Sequence, residues 1–200
     1  MDNTNIRALE PPMEQYHGKL FRVTSQAVEI PGGIQKVFER AERPPGVRVL
    51  AANSSHILLT KEWRDETGSW DHRLPGGKVF DSLEEYLVAR SNSHCDLERC
   101  AQIAARREFE EETSIRRLAE EFKLLHHSIC GATVIWDLYY YVIKLRDLDK
   151  LPASITSREG ERIQPGFFSL AEALELCLNA EIQEDRTVAV LLRYLLQVKR

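Results

Sequence analysis

The spacing of apolar positions changes several times along the chain, and each change marks an element. Residues 1 to about 15, with Pro11 and Pro12, read as a loose lead-in. From Lys19 to Ile30 and from Gly33 to Arg40, extended runs flank Pro31, Gly32 and Gly33, which predicts a β-hairpin. Val47 to Ala52 and His56 to Trp63 are strand-like on either side of the polar turn Asn53 to Ser55. Ser82 to Ala89 reads as a short helix, with Ser82 at the N-cap and Glu85 three residues on. Ala101 to Glu112 is rich in good helix formers. Phe122 to Ile129 and Ala132 to Leu145 read as strands around Gly131, the second β-branched and aromatic as a central strand should be. Leu151 to Ile163 is a polar loop. Phe167 to Leu170 then leads into an amphipathic helix, Ala171 to Leu178. Thr187 to Val198 closes the chain as a helix, with Val188, Leu191, Leu192 and Leu195 on one face. Strands alternating with two or three helices predict an α/β fold, a mixed sheet packed between helices.

Composition narrows this picture. The 200 residues (23.0 kDa) suit one domain with an appended N-terminal piece, and 43% hydrophobic residues suffice for a sizeable core. A net charge of −4 and a pI near 5.9 give no electrostatic reason to bind nucleic acid or an anionic membrane. No apolar run is long enough to span a bilayer and no signal-peptide pattern opens the chain, so the expected location is the cytoplasm. Cys95, Cys100, Cys130 and Cys177 lack metal-type spacing. A zinc site at His94, Cys95 and Cys100 fits poorly in spacing and ligand count, which leaves four ordinary thiols.

The candidate chemistry sits in the run Arg107, Glu108, Phe109, Glu110, Glu111, Glu112. An acidic run on a helix is commonly a solvated face, but its geometry here argues otherwise. At about 100° per residue, Glu108 and Glu112 project within about 40° of one another, and Glu111 lies about 60° from Glu108. Ala101, Ala104 and Ala105 share that sector, whereas Glu110 points away with Arg106. The side able to lie against a sheet therefore carries the carboxylates. Crowded like charges repel and raise the pKa of at least one, a penalty that a bound cation removes. An all-oxygen ligand set suits Mg²⁺ or Mn²⁺ better than zinc. Arg107 can pair with Glu111 one turn later. Upstream, Leu74, Pro75, Gly76, Gly77 and Lys78 form a tight turn where glycines allow a close approach of carbonyls to a ligand.

Turn and glutamate run together resemble the Nudix box: glycine, five residues, glutamate, seven residues, Arg-Glu, an apolar residue, any residue, Glu-Glu, any residue, glycine, an apolar residue. Gly77 matches the first glycine, and Arg107, Glu108, Phe109, Glu111, Glu112 and Ile115 match the second half. The spacing between Gly77 and Arg107 is about 16 residues longer than in the family, which predicts an insertion at about 81 to 96. Arg99 stands where the isolated glutamate belongs, with Glu98 beside it as a candidate substitute, and Ser114 replaces the second glycine.

The segments ahead of the box, with Trp63 and Arg64 ending an apolar strand and Trp70 before the glycine turn, resemble the ADP-ribose pyrophosphatase branch. The resemblance implies a Nudix-type α/β/α sandwich with a mixed sheet over residues 46–200, preceded by N-terminal strands over 1–45 that help build a homodimer. It implies Mg²⁺, or Mn²⁺, held by Glu108, Glu111, Glu112 and the Gly77 carbonyl, with Arg107 orienting them. It makes Arg64 a candidate phosphate contact, and Trp63 and Trp70 candidates for stacking on a base, although aromatics at strand ends are more often core. In the loop, Glu161 is the match for the family's water-activating glutamate and Glu159 the second choice. The activity implied is hydrolysis of a nucleoside diphosphate derivative, ADP-ribose to AMP and ribose 5-phosphate. The alternatives are a nucleotide-sugar or dinucleotide pyrophosphatase, and a non-catalytic sensor of ADP-ribose-type ligands, for which Arg99 and Ser114 speak.

Overall fold

A computed structural model describes residues 6–131, 133–146, 149–156 and 162–198. In chain order the strands are β1 (Arg7–Ala8), β2 (Met13–His17), β3 (Arg22–Ile30), β4 (Ile34–Glu42), β5 (Gly46–Ala52), β6 (His56–Arg64) and β7 (Ser69–Arg73). Helices α1 (Leu83–Ser91) and α2 (Leu97–Thr113) follow, then a 3₁₀ turn (Ala119–Glu121), β8 (Lys123–Ser128), β9 (Val134–Ile135) and β10 (Leu138–Lys144). The chain ends with β11 (Ile155–Thr156), β12 (Arg162–Ser169), α3 (Leu170–Leu178) and α4 (Asp185–Val198). They form two compact units, one of Met1–Pro45, Phe80–Leu97 and Ile129–Asp137, the other of Gly46–Val79, Glu98–Ser128 and Leu138–Arg200.

The first unit is built on a five-stranded sheet in the order β1-β3-β4-β9, with β2 also on β3. Its centre is the predicted hairpin, in which Ile30 faces Ile34 and Gly32 and Gly33 turn the chain at positive φ. The inserted segment folds with this sheet. The Ser82 hydroxyl caps α1 by accepting the Glu85 amide at 3.2 Å, as its sequence predicts, and the Leu83 amide donates to the Lys19 carbonyl at 2.8 Å. The Glu42 carboxylate, buried on β4, accepts Arg22 of β3 at 2.7 Å and Arg90 of α1. A buried carboxylate needs such partners, and here they tie the insertion to the hairpin.

One expected strand is divided. Ala132 to Leu145 was expected to run unbroken; Ala132 lies outside the described residues, Val134 and Ile135 pair in parallel with Ala41 and Glu42, and a separate strand starts at Leu138. The break falls at Trp136, whose ring lies 4.5 Å from the Arg43 guanidinium.

The second unit holds a seven-stranded sheet in the order β11-β12-β6-β5-β10-β8, with β7 also on β6. β5 and β10 are parallel and the other pairs antiparallel, so the sheet is mixed. Every residue of β5 is buried, the pattern of a strand covered on both faces. On α2, Ala101, Ala104, Ala105, Phe109, Glu112 and Thr113 are buried, which is the small-residue face that the periodicity picks out. α4 buries Thr187, Val190, Leu191 and Leu195, a stripe turned slightly from the expected one. β12 begins inside the segment expected to be loop. Pro165 and Gly166 disguise it, yet Pro165 is tolerated because β11 pairs only with Arg162 and Ile163, leaving the strand's other side without a ladder at Pro165. The architecture is the mixed α/β one that the sequence predicts.

Candidate active site

All the described candidate groups of the glycine turn and glutamate helix lie in the second unit. The turn is laid along β5: the Val49 amide donates to the Pro75 carbonyl at 2.8 Å and the Val47 amide to the Gly77 carbonyl at 2.9 Å. A Cβ on Gly76 would run into the Val47 carbonyl oxygen and stand 2.9 Å from Arg48 Cα, so only glycine allows this approach. A Cβ on Gly77 would meet the Glu108 carboxylate carbon at 2.6 Å. The first glycine of the box thus clears the space that Glu108 occupies.

From α2, Glu112 (8% exposed) reaches the turn and accepts the Gly76 amide at 3.0 Å. Arg107 donates to the Lys78 carbonyl at 2.9 Å and to Glu108 at 2.8 Å, so it fastens both halves of the box. Glu110 faces the other way, paired with Arg106 at 3.2 Å as the helical angles predict. Glu111 stands between, lining a cavity of about 520 Å³ with Arg106, Arg107, Glu110, Ser114 and Arg116. At the helix end Thr113 Oγ1 donates to the Phe109 carbonyl at 2.6 Å, and Ser114 takes φ 60° where the family has glycine. A left-handed serine costs about 1–2 kcal/mol, but the helix stops at the same place.

Sequence reasoning missed Glu62. It lies on β6, 6% exposed, accepts the Thr60 hydroxyl at 2.8 Å, and has Arg64 at 3.7 Å. Burial pushes the Glu112 carboxyl well above the usual carboxylate range, and the Glu62 charge adds to the push, against the Gly76 amide and the Arg48 guanidinium. Burial also raises Glu108, opposed by Arg107. The signal for Glu62 was its place two residues before Arg64 and two after Thr60, on one face of a strand.

The remaining candidates divide. Trp63 and Trp70 face each other across β6 and β7 with ring centres 5.8 Å apart, and at 44% and 39% exposed they are surface aromatics, not core. Arg64 donates to Glu66 at 2.6 Å. Glu98 is exposed and lies ten residues before Glu108 on the same helix, about 15 Å along the axis. Arg99 pairs with Glu120 at 3.2 Å on the surface. Glu159 and Glu161 lie outside the described residues.

Among the described residues no three His, Cys, Asp or Glu side chains stand in a ready-made metal cluster. Glu112 is turned to the Gly76 amide and Glu108 to Arg107. The donor set nonetheless fits a hard divalent ion: all oxygen, two carboxylates held above their ordinary pKa by burial, and a glycine whose missing Cβ leaves room for one of them. The four cysteines are thiols, three of them half-buried and Cys177 buried. No described helix is long and apolar enough to cross a membrane.

A family model of the NUDIX domain matches residues 42–190. No curated protein matches the chain in sequence. Among solved structures, a crystal structure of an ADP compounds hydrolase is similar over 96% of this chain and 95% of that one, at 20% identity and a TM-score of 0.62, a likeness of fold.

Proposed function

The chain belongs to the Nudix family, and on that premise we propose that it hydrolyses the pyrophosphate bond of a nucleoside diphosphate derivative, ADP-ribose being the substrate and AMP and ribose 5-phosphate the products. The observation that carries this reading is the meeting of Glu108 and Glu112 with the Gly76-Gly77 turn. The similar fold of a hydrolase of ADP compounds supports the substrate class.

In this reading Glu108, Glu111, Glu112 and the Gly77 carbonyl hold Mg²⁺ or Mn²⁺; the Gly77 oxygen, already accepting Val47, keeps a second lone pair for it. When bound, the ion supplies neutralisation of the charge that develops on the phosphoryl oxygens. Arg107 holds Glu108 in place, and the Gly76 amide does the same for Glu112. Arg64, released from Glu66, binds phosphate. Trp63 and Trp70 offer exposed ring faces to the base. Glu161 takes the proton from water as its oxygen attacks one phosphorus and the bridging P–O bond breaks. The homodimer implied by the resemblance would form through the first unit, whose Met13, Ile34 and Val37 are exposed.

The test is product analysis by chromatography with ADP-ribose, ADP-glucose, UDP-glucose, NADH and diadenosine polyphosphates, each with Mg²⁺ and with EDTA. AMP and ribose 5-phosphate from ADP-ribose, with metal only, are expected. Binding without turnover of any substrate would replace the enzyme with a sensor. Two variants sharpen the site. Trp70→Ala should raise KM for ADP-ribose about 5-fold or more with kcat little changed, since stacking on a base is worth about 1–3 kcal/mol; an unchanged KM removes Trp70 from the substrate site. Gly77→Ala should displace the Glu108 carboxylate and lower activity about 10-fold or more, with a melting temperature near that of wild type because the atoms it meets end a side chain.

A further inference from the structure

Beside the proposed metal site lies a buried ion pair that the hydrolytic reading does not use. Arg48, on β5, is 6% exposed and donates through Nε to Glu184 at 3.0 Å, through Nη2 to the same carboxylate at 3.2 Å, and through Nη1 to the Val47 carbonyl at 2.9 Å. Glu184, just ahead of α4, also accepts the Thr187 hydroxyl at 2.5 Å, and that hydroxyl lies 3.3 Å from the Tyr140 hydroxyl. The pair is built into the same backbone as the site. Arg48 Cα backs directly onto Gly76, and the Gly76 amide holds Glu112.

Two carboxylates act on the Arg48 charge, Glu184 strongly and Glu112 more weakly. Glu184 takes two donors along one edge of the guanidinium, the bidentate geometry of a strong arginine–carboxylate pair. Were that partner neutral, the buried positive charge would act on Tyr140 and on Glu112, the latter being the very group that has to attract a cation. Charge in a buried setting is weakly screened, so the effect reaches the site without direct contact.

We infer that Glu184 is a positioning residue of the cation site: by holding and neutralising Arg48 it keeps Glu112 available to a divalent ion. The inference rests on the metal-binding part of the hydrolase reading, and the experiment separates the two. Mn²⁺ is titrated calorimetrically into the wild-type protein, E184Q and R48M/E184Q, with circular dichroism to confirm folding. Expected is binding to wild type, affinity about 5-fold or more lower in E184Q, and affinity within about 2-fold of wild type in R48M/E184Q, because the cation that needed neutralising is gone. A role confined to packing predicts the reverse, a double variant no better than the single one, and that result overturns the inference. So does unchanged affinity in E184Q. Absence of Mn²⁺ binding to wild type overturns the metal reading, and the inference with it. Leaving Arg48 unpaired in the interior can unfold a protein, whereas an apolar replacement of both partners is commonly tolerated. Should E184Q not fold, R48M/E184M decides: affinity within about 2-fold of wild type supports the inference, and a loss of about 5-fold or more overturns it.

Discussion

Glu112→Gln should lower turnover about 10²-fold or more, yet leave the metal-free protein melting no lower than wild type. The two effects share one cause. Glu112 is a buried carboxylate facing the charge of Glu62, and its proton is held well above the ordinary carboxylate range first by burial and then by that charge. The stability linked to that proton is fully present below the ordinary carboxylate pKa and is lost as pH rises through the raised value in the fold. Once ionised, above that raised value, the group therefore strains the metal-free fold. Glutamine has the shape of the protonated acid and removes the strain, and the wild-type and variant melting curves in EDTA should converge as pH falls. A ligand that stabilises transition-state charge by several kcal/mol is lost at the same time, and each 1.36 kcal/mol is tenfold in rate. Turnover within a few-fold of wild type at saturating Mg²⁺ would remove Glu112 from the metal site. A clearly lower melting temperature at neutral pH in EDTA would contradict the electrostatic account.

Gly76→Ala should be the most damaging small substitution in the chain. The new methyl would press on the Val47 carbonyl and Arg48 Cα, both backbone of a strand buried along its whole length, and neither can move aside as a side chain can. Overpacking of this kind costs about 1–3 kcal/mol or more, which for a chain of this size lowers Tm by about 2–12 °C or more. The turn would be pushed off β5 and would carry the Gly76 amide away from Glu112, so activity should fall together with stability. Thermal melting beside a rate assay checks this. A Gly76→Ala protein that melts within about 2 °C of wild type would show that the turn does not lie on β5 as described.

The contrast between these residues shows which parts of the site a sequence can carry. The orientation of Glu108, Glu110 and Glu112 follows from helical periodicity alone, and the structure places all three where the angles put them. The Ser82 cap of α1 was legible for the same reason, since cap and amide are three residues apart. For Glu62 only the strand face it shares with Thr60 and Arg64 was legible, not its role, because what matters about it is its nearness to Glu112, fifty positions away and on another element. The division of the strand at Trp136 was likewise hidden. A stretch of β-branched and aromatic residues reads as one strand whether its two ends join one sheet or two.

By itself the sequence determined the class of fold, the helix that carries the carboxylates and, through the glycine turn and the residue pattern from Arg107 to Ile115, the family. These depend on local periodicity and on residue order, which survive without a folded chain. Tertiary structure alone decided that Gly76 has to be glycine, that Arg107 fastens Glu108 to Lys78, that Trp63 and Trp70 face each other at the surface, and that Arg48 and Glu184 pair inside. Each of these is a meeting of groups far apart in the chain or a close approach of backbones. Burial and mutual charge, which set the chemistry of Glu112, exist only once those groups have been brought together.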